Sequence, residues 1–292
     1  MKPAPFRYAA SESLEHALAL KAEFGEEARF LAGGQSLIPA MNFRLAQPAV
    51  LIDLNPISAL DYVRVTDAGL RIGALTRYRS VEHAAEVARL QPLLAEVLPN
   101  IAHPQIRNRG TLCGNLANAD PASELPAVML ALGARMHAQS ATGGRWIDAS
   151  DFFLNLYETA LAPDEMLTEI ELPALPARTG TCFVEVARRR GDYAMMGVAV
   201  TVTLDAGGRC VSAGIALCNA GSTQIRATRA AALLAGNAVD AQAVSAAGAQ
   251  AQQEISPTGN VHCTPAYQRH LAGVLTRRAL TTAAERARGA AA

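Results

Sequence analysis

The segment Leu31-Ala32-Gly33-Gly34-Gln35-Ser36-Leu37-Ile38-Pro39 puts two glycines between a short apolar run and a helical pattern. Glycines there let the backbone approach a ligand closely and turn several N–H groups to one side. A concave row of such donors beside a helix N-terminus holds phosphate without a lysine. The block is not a P-loop, because no Gly-Lys-Ser/Thr follows a four-residue gap, and it lacks the Gly-x-Gly-x-x-Gly spacing of a dinucleotide fingerprint. Alone, it fits a plain tight turn with a serine cap as well. A second block runs from Gln105 to Glu124 and is dense in small and hydrogen-bonding residues. Its Thr111, Asn115, Asn118, Asp120 and Glu124 suit a polyol or a pyrophosphate, with Gly114 allowing close approach; a surface loop before a capped helix is the competing reading. A third block, Arg188-Arg189-Arg190-Gly191-Asp192-Tyr193-Ala194, joins a solvated arginine run to a turn that presents an aromatic ring.

The elements that must position these blocks are mixed. Ser13 to Phe24 has helical spacing, Arg29 to Ala32 and Val50 to Leu54 read as short strands, and Tyr62 to Ile72 reads as a hairpin. Ser80 is expected to cap a helix over 81–88, Pro92 to Ala102 to be helical, and Asp120-Pro121 to open an apolar helix through Leu132. A hairpin around Thr142-Gly143-Gly144 and a strand from Met166 to Leu172 follow. Two prolines in Leu172-Pro173-Ala174-Leu175-Pro176 mark a linker, dividing the chain into residues 1–176 and 177–292. Beyond it, Gly197 to Asp205 and Val211 to Cys218 alternate as strands. Arg226 to Ala235, Ala241 to Glu254 and Pro265 to Arg288 read as Ala-rich helices, with Ala290, Ala291 and Ala292 fraying.

Composition removes several function classes. The 292 residues carry 26 Lys+Arg against 26 Asp+Glu, which argues against a general nucleic-acid or membrane-surface binder. Half the residues are hydrophobic and 18% charged, enough for sizeable cores. No apolar run reaches the roughly 18 residues of a membrane span. The start lacks the apolar stretch of a secretion signal, so the cytoplasm is the expected location. The five cysteines, Cys113, Cys182, Cys210, Cys218 and Cys263, are odd in number and never two or three apart. That disfavours a disulfide framework, a zinc site or an iron–sulfur loop in this chain.

Taken together, Ala-Gly-Gly-Gln-Ser, then Thr-Leu-Cys-Gly-Asn-Leu-Ala-Asn-Ala-Asp-Pro-Ala-Ser-Glu, then Arg-Gly-Asp-Tyr-Ala resembles the FAD-binding medium subunit of the molybdenum hydroxylases, the xanthine dehydrogenase and carbon monoxide dehydrogenase family. The resemblance implies an α+β fold: a two-subdomain FAD-binding domain of the PCMH type, shared with p-cresol methylhydroxylase, then a C-terminal antiparallel sheet with a helical bundle. It implies non-covalent FAD, with Leu31, Ala32, Gly33, Gly34, Gln35, Ser36 and Leu37 cradling the pyrophosphate and Thr111, Gly114 and Asn115 forming a second arm. Glu124 would bond the cofactor's polyol and Asp120 would reach the cofactor; Leu167 would lie near the adenine end, Ile101 near the isoalloxazine, and Tyr193 over part of the flavin. Cys113 replaces a common glycine and is read as an inert small thiol. No acid–base catalytic residue and no metal ligand is expected in this chain. Molybdopterin and iron–sulfur clusters would sit in a large and a small partner subunit, in a dimer of heterotrimers, and the flavin would pass their electrons to an acceptor. The alternatives are an autonomous flavin oxidoreductase with its own substrate site and a flavin-free scaffold.

Overall fold

The structure, a computed structural model, describes residues 1–289; the expected fraying of Ala290 to Ala292 lies outside them. The chain begins with a parallel three-stranded sheet. Strand β1 (Arg7–Ala10) leads into helix α1 (Leu14–Phe24), where the Ser13 hydroxyl accepts from the His16 N–H at 3.1 Å as an N-cap. Strand β2 (Ala28–Leu31) runs into the first glycine block and helix α2 (Leu37–Asn42), and β3 (Val50–Asp53) returns between β1 and β2. Every residue of β3 is buried, which is why that strand reads as a nearly all-apolar run, with Asp53 at its end the exception.

The hairpin β4 (Val63–Thr66) and β5 (Gly69–Gly73) opens a second layer. Helices α3 (Tyr78–Glu82), α4 (Ala85–Leu90), α5 (Pro92–Val97), α6 (Pro104–Arg107), α7 (Leu112–Asn118) and α8 (Glu124–Leu132) follow. Ser80 lies inside α3 and is not a cap: the helix starts earlier because the Tyr78 N–H is anchored on the Gly110 carbonyl. The helix expected over 92–102 stops at Val97 and continues as a 3-10 turn, Leu98–Asn100, containing Pro99. Asp120-Pro121 does not open α8. The Asp120 carboxylate accepts from the Ala122 N–H at 3.0 Å in a local turn, and Ser123 occupies the position before the helix. All nine residues of α8 are buried, because it is enclosed between this layer and the sheet of the second half. Strands β6 (Arg135–Ser140), β7 (Gly143–Asp148) and β10 (Met166–Pro173) complete an antiparallel sheet of order β4-β5-β10-β6-β7, with helix α9 (Ala149–Phe152) and the separate small ladder of β8 (Phe153–Asn155) and β9 (Glu158–Thr159) between β7 and β10 in the chain.

The second half is a sheet of order β11-β12-β13-β14, formed by β11 (Thr179–Val186), β12 (Met196–Leu204), β13 (Cys210–Cys218) and β14 (Ile225–Arg226). Helices α10 (Thr228–Ala232), α11 (Ala241–Glu254) and α12 (Pro265–Gly289) pack on it. The helix expected from Arg226 shortens to α10, because Ile225–Arg226 pairs with Ala216–Leu217 as an edge strand. The alanines of α12 allow a close approach: a Cβ added to Gly180 of β11 would lie 1.9 Å from the Ala283 carbonyl oxygen. The mixed α+β architecture is the one expected. Residues of the second half, Phe183, Ala199, Ala216 and Cys218, complete the core of the first.

Candidate cofactor site

One cleft of about 710 Å³ collects the chemistry-bearing blocks. It runs between the parallel sheet and the five-stranded sheet. Its first wall is Leu31 to Leu37. Here the N–H groups of Gly33, Gly34, Gln35 and Ser36 have no acceptor among the described residues. Gly34 sits at φ +72°, a left-handed conformation that turns the loop. Gly33 has no room for a side chain, since a Cβ would lie 2.5 Å from the Arg109 carbonyl oxygen. The two glycine blocks therefore touch backbone to backbone.

The second wall is the start of α7. Thr111 is its N-cap, its hydroxyl accepting from the Gly114 N–H at 3.1 Å, and a Cβ on Gly114 would fall 2.6 Å from that hydroxyl. The segment read as compatible with a loop is thus a short capped helix. Asn115 lines the cleft and is held by Ser123, whose hydroxyl donates to the Asn115 Oδ1 at 2.9 Å. Ile101 and Leu167 are buried lining residues, and Tyr193 stands 62% exposed at the rim.

Glu124, the first residue of α8, lines the same cleft and is buried, with no salt-bridge partner among the described residues. Burial, reinforced by Glu185 and Asp120, pushes its carboxyl up to about 8. Behind it, burial pushes Glu185 up to about 7, and one oxygen of that carboxyl is enclosed without a hydrogen-bond partner. Burial also holds the Cys113 thiol far above its usual range, so it offers no thiolate for a covalent link.

Asp120 is the one expected site residue that does not line the cleft. Its carboxylate accepts from the Tyr157 hydroxyl at 3.2 Å, and its carbonyl accepts from the Gln224 amide at 2.6 Å. Its proximity also raises Tyr157 and Tyr193, after the larger effect of burial. Tyr157, Tyr78 and Ser123 are lining residues that sequence reasoning did not single out. Ser123 lies within the segment from Gln105 to Glu124; nothing local marks the two tyrosines. Arg188 to Arg190 and His103 are exposed. Among the described residues no group of three His, Cys, Asp or Glu side chains is placed to hold a metal.

Free N–H donors on the first of two touching glycine-bearing arms suit a diphosphate, and a buried carboxyl lacking a counter-ion suits a hydroxyl-bearing chain beside it. The residues present therefore fit a flavin dinucleotide. Residues 4–175 match the family model described as the FAD binding domain in molybdopterin dehydrogenase. The chain belongs to that family. Residues 181–283 match the CO dehydrogenase flavoprotein C-terminal domain. The chain is 41% identical to the 6-hydroxypseudooxynicotine dehydrogenase complex subunit alpha of Paenarthrobacter nicotinovorans, covering 99% of this chain and 97% of that one. It is 38% identical to the carbon monoxide dehydrogenase medium chain of Afipia carboxidovorans, covering 99% of this chain and 100% of that one. A solved structure of Cu,Mo-CO dehydrogenase superposes with a TM-score of 0.95 at 38% identity, over 98% of this flavoprotein chain and 100% of the other. Quinoline 2-oxidoreductase from Pseudomonas putida 86 gives 0.92 at 37%, over 98% and 99%.

Proposed function

We propose that this flavoprotein is the electron-transferring medium subunit of a molybdenum hydroxylase complex, with FAD held non-covalently in the cleft. The observation that carries the reading is one cavity lined by four unpaired N–H groups, a second capped glycine arm and an uncompensated buried carboxyl. FAD supplies the redox chemistry; the protein supplies position and environment. Leu31 to Leu37 would receive the diphosphate on backbone N–H groups, with Thr111, Gly114 and Asn115 as the facing arm. Glu124 would bond the polyol chain. Leu167 and Ile101 would pack on the two ring systems, and Tyr193 would cover the open side. Asp120 acts here as a positioning group, orienting Tyr157 at the rim.

The same reading assigns electron supply to iron–sulfur clusters of a small subunit and substrate oxidation to a large molybdopterin subunit. It divides the chain into domains 1–176 and 177–292 and extends to a dimer of heterotrimers in the cytoplasm. No helix among the described residues is long and apolar enough to cross a membrane. The test is a visible spectrum of the purified chain, followed by FAD titration and isolation from native extract. A yellow protein that travels with molybdenum- and iron-containing subunits is expected. A colourless chain that takes up no added FAD overturns the flavin assignment, and a flavoprotein always found alone overturns the subunit assignment.

A further inference from the structure

A chain of polar contacts lies behind the cleft, and none of its side chains lines the cavity. The Tyr8 hydroxyl of β1 donates to the Asp53 carboxylate at the end of β3 at 2.5 Å. The other Asp53 oxygen accepts from the Asn55 side-chain amide and from its backbone N–H, the latter at 3.0 Å. The same Asn55 amide donates to the Ala32 carbonyl of the first glycine arm at 3.1 Å. The Arg77 guanidinium then reaches across from the second layer. It donates one N–H to the Asn55 side-chain carbonyl and another to the Arg109 carbonyl, the residue before Gly110 and Thr111. The Arg77 backbone bridges Thr111 itself. Burial alone would raise the Asp53 carboxyl, but hydrogen bonds from Tyr8 and Asn55 outweigh it and hold the group below its usual range.

We propose that Arg77, with Asn55 and Asp53, is a brace that fixes the separation of the two cofactor arms, so that these residues set FAD affinity without touching FAD. The planar guanidinium suits the task because its fork spans two acceptors on different subdomains at once. Asn55 is the joint, holding the first arm with its amide and the guanidinium with its carbonyl. With the fork removed, the hydrogen-bonded link from Asn55 to Arg109 is lost, while the backbone packing of Gly33 on Arg109 stays. The arms then sample wider separations, and binding must supply the ordering that the brace supplied beforehand. The proposal rests on the reading that these two loops receive the FAD diphosphate.

Two measurements on R77A, R77K, N55A and the R77A/N55A double variant of the full chain separate the two ideas. The first is amide hydrogen exchange of the cofactor-free protein. Faster exchange confined to the hydrogen-bonded amides of the two arms, Ile38 and Ala40 in the first and Gly110, Leu112 and Gly114 in the second, is expected in R77A and N55A; exchange there equal to the parent overturns the brace, whatever FAD does. The second is FAD affinity by flavin fluorescence quenching. We expect about tenfold weaker binding for either single variant, the scale of one charged hydrogen bond. The double variant should be no weaker than the worse single, because both break one connection. R77K should not restore affinity, since an ammonium cannot span both acceptors. Folded variants that bind FAD as the parent does, or losses that multiply in the double variant, overturn the proposal. Should R77A fail to fold, N55A, which keeps the guanidinium charge, decides on the same two readouts. A parent chain that takes up no FAD refutes the flavin reading alone, and the exchange measurement still judges the brace.

Discussion

Glu124 in the cleft and Glu185 outside its lining make the stability of this region proton-dependent. Both carboxyls are raised by burial, Glu124 to about 8 and Glu185 to about 7, so both favour the neutral form when folded. Unfolded carboxyls titrate near 4.3. Between those limits the folded state binds more protons than the unfolded state, so stability falls as pH rises. The contribution is full below about pH 4.3 and is lost as pH passes through 7 and 8. The melting temperature of cofactor-free protein should therefore drop between pH 6 and pH 9, and E124Q/E185Q should flatten the slope. A double variant with the parent's slope would place the titration elsewhere. At the first arm, G33A should abolish FAD binding at any pH, because its Cβ would sit 2.5 Å from the Arg109 carbonyl oxygen and wedge the arms apart. Flavin retention on gel filtration checks this.

At the level of elements, the contact between β11 and α12 is close enough to be tested with one methyl group. G180A would put a Cβ 1.9 Å from the Ala283 carbonyl, so strand or helix must shift. We expect about 2 kcal/mol of destabilisation, seen in urea unfolding, with FAD affinity of the folded protein unchanged. The same elements show what a sequence displays and what it hides. Strand β3 was readable because full burial makes all of it but Asp53 apolar, and α11 and α12 because their alanines repeat at helical spacing. Helix α7 was not readable as a helix. Its Gly114 and Asn115 are weak helix formers, and the Thr111 cap together with burial of Leu112 and Leu116 makes it helical. Strand β11 opens with Thr179-Gly180-Thr181, poor in apolar residues, and exists through its pairing with β12. Asp120-Pro121 carried a helix-cap signature that a local turn satisfied first. The site followed the same rule. The glycine arms were legible, whereas the link from Asn55 to Arg77 and the hold of Asp120 on Tyr157 depend on residues brought together only by folding.

At the level of the whole molecule, the two halves are joined by more than the linker. Helix α8 starts in the cleft at Glu124 and packs against β12 and β13. The Arg286 guanidinium of α12 pairs with Glu96 of α5 at 2.8 Å, and Glu96 also accepts from the Phe183 N–H of β11. Phe183 and Cys218 belong to the core of the first half. Limited proteolysis in 174–178 should therefore give two fragments that stay together on gel filtration and keep their flavin, while residues 1–176 expressed alone should aggregate. Separation of the fragments without denaturant would contradict this. The shared core thus makes the chain a natural split protein. Its halves carry information about each other, and either fragment could report, by regaining colour, that the other has been made in the same cell.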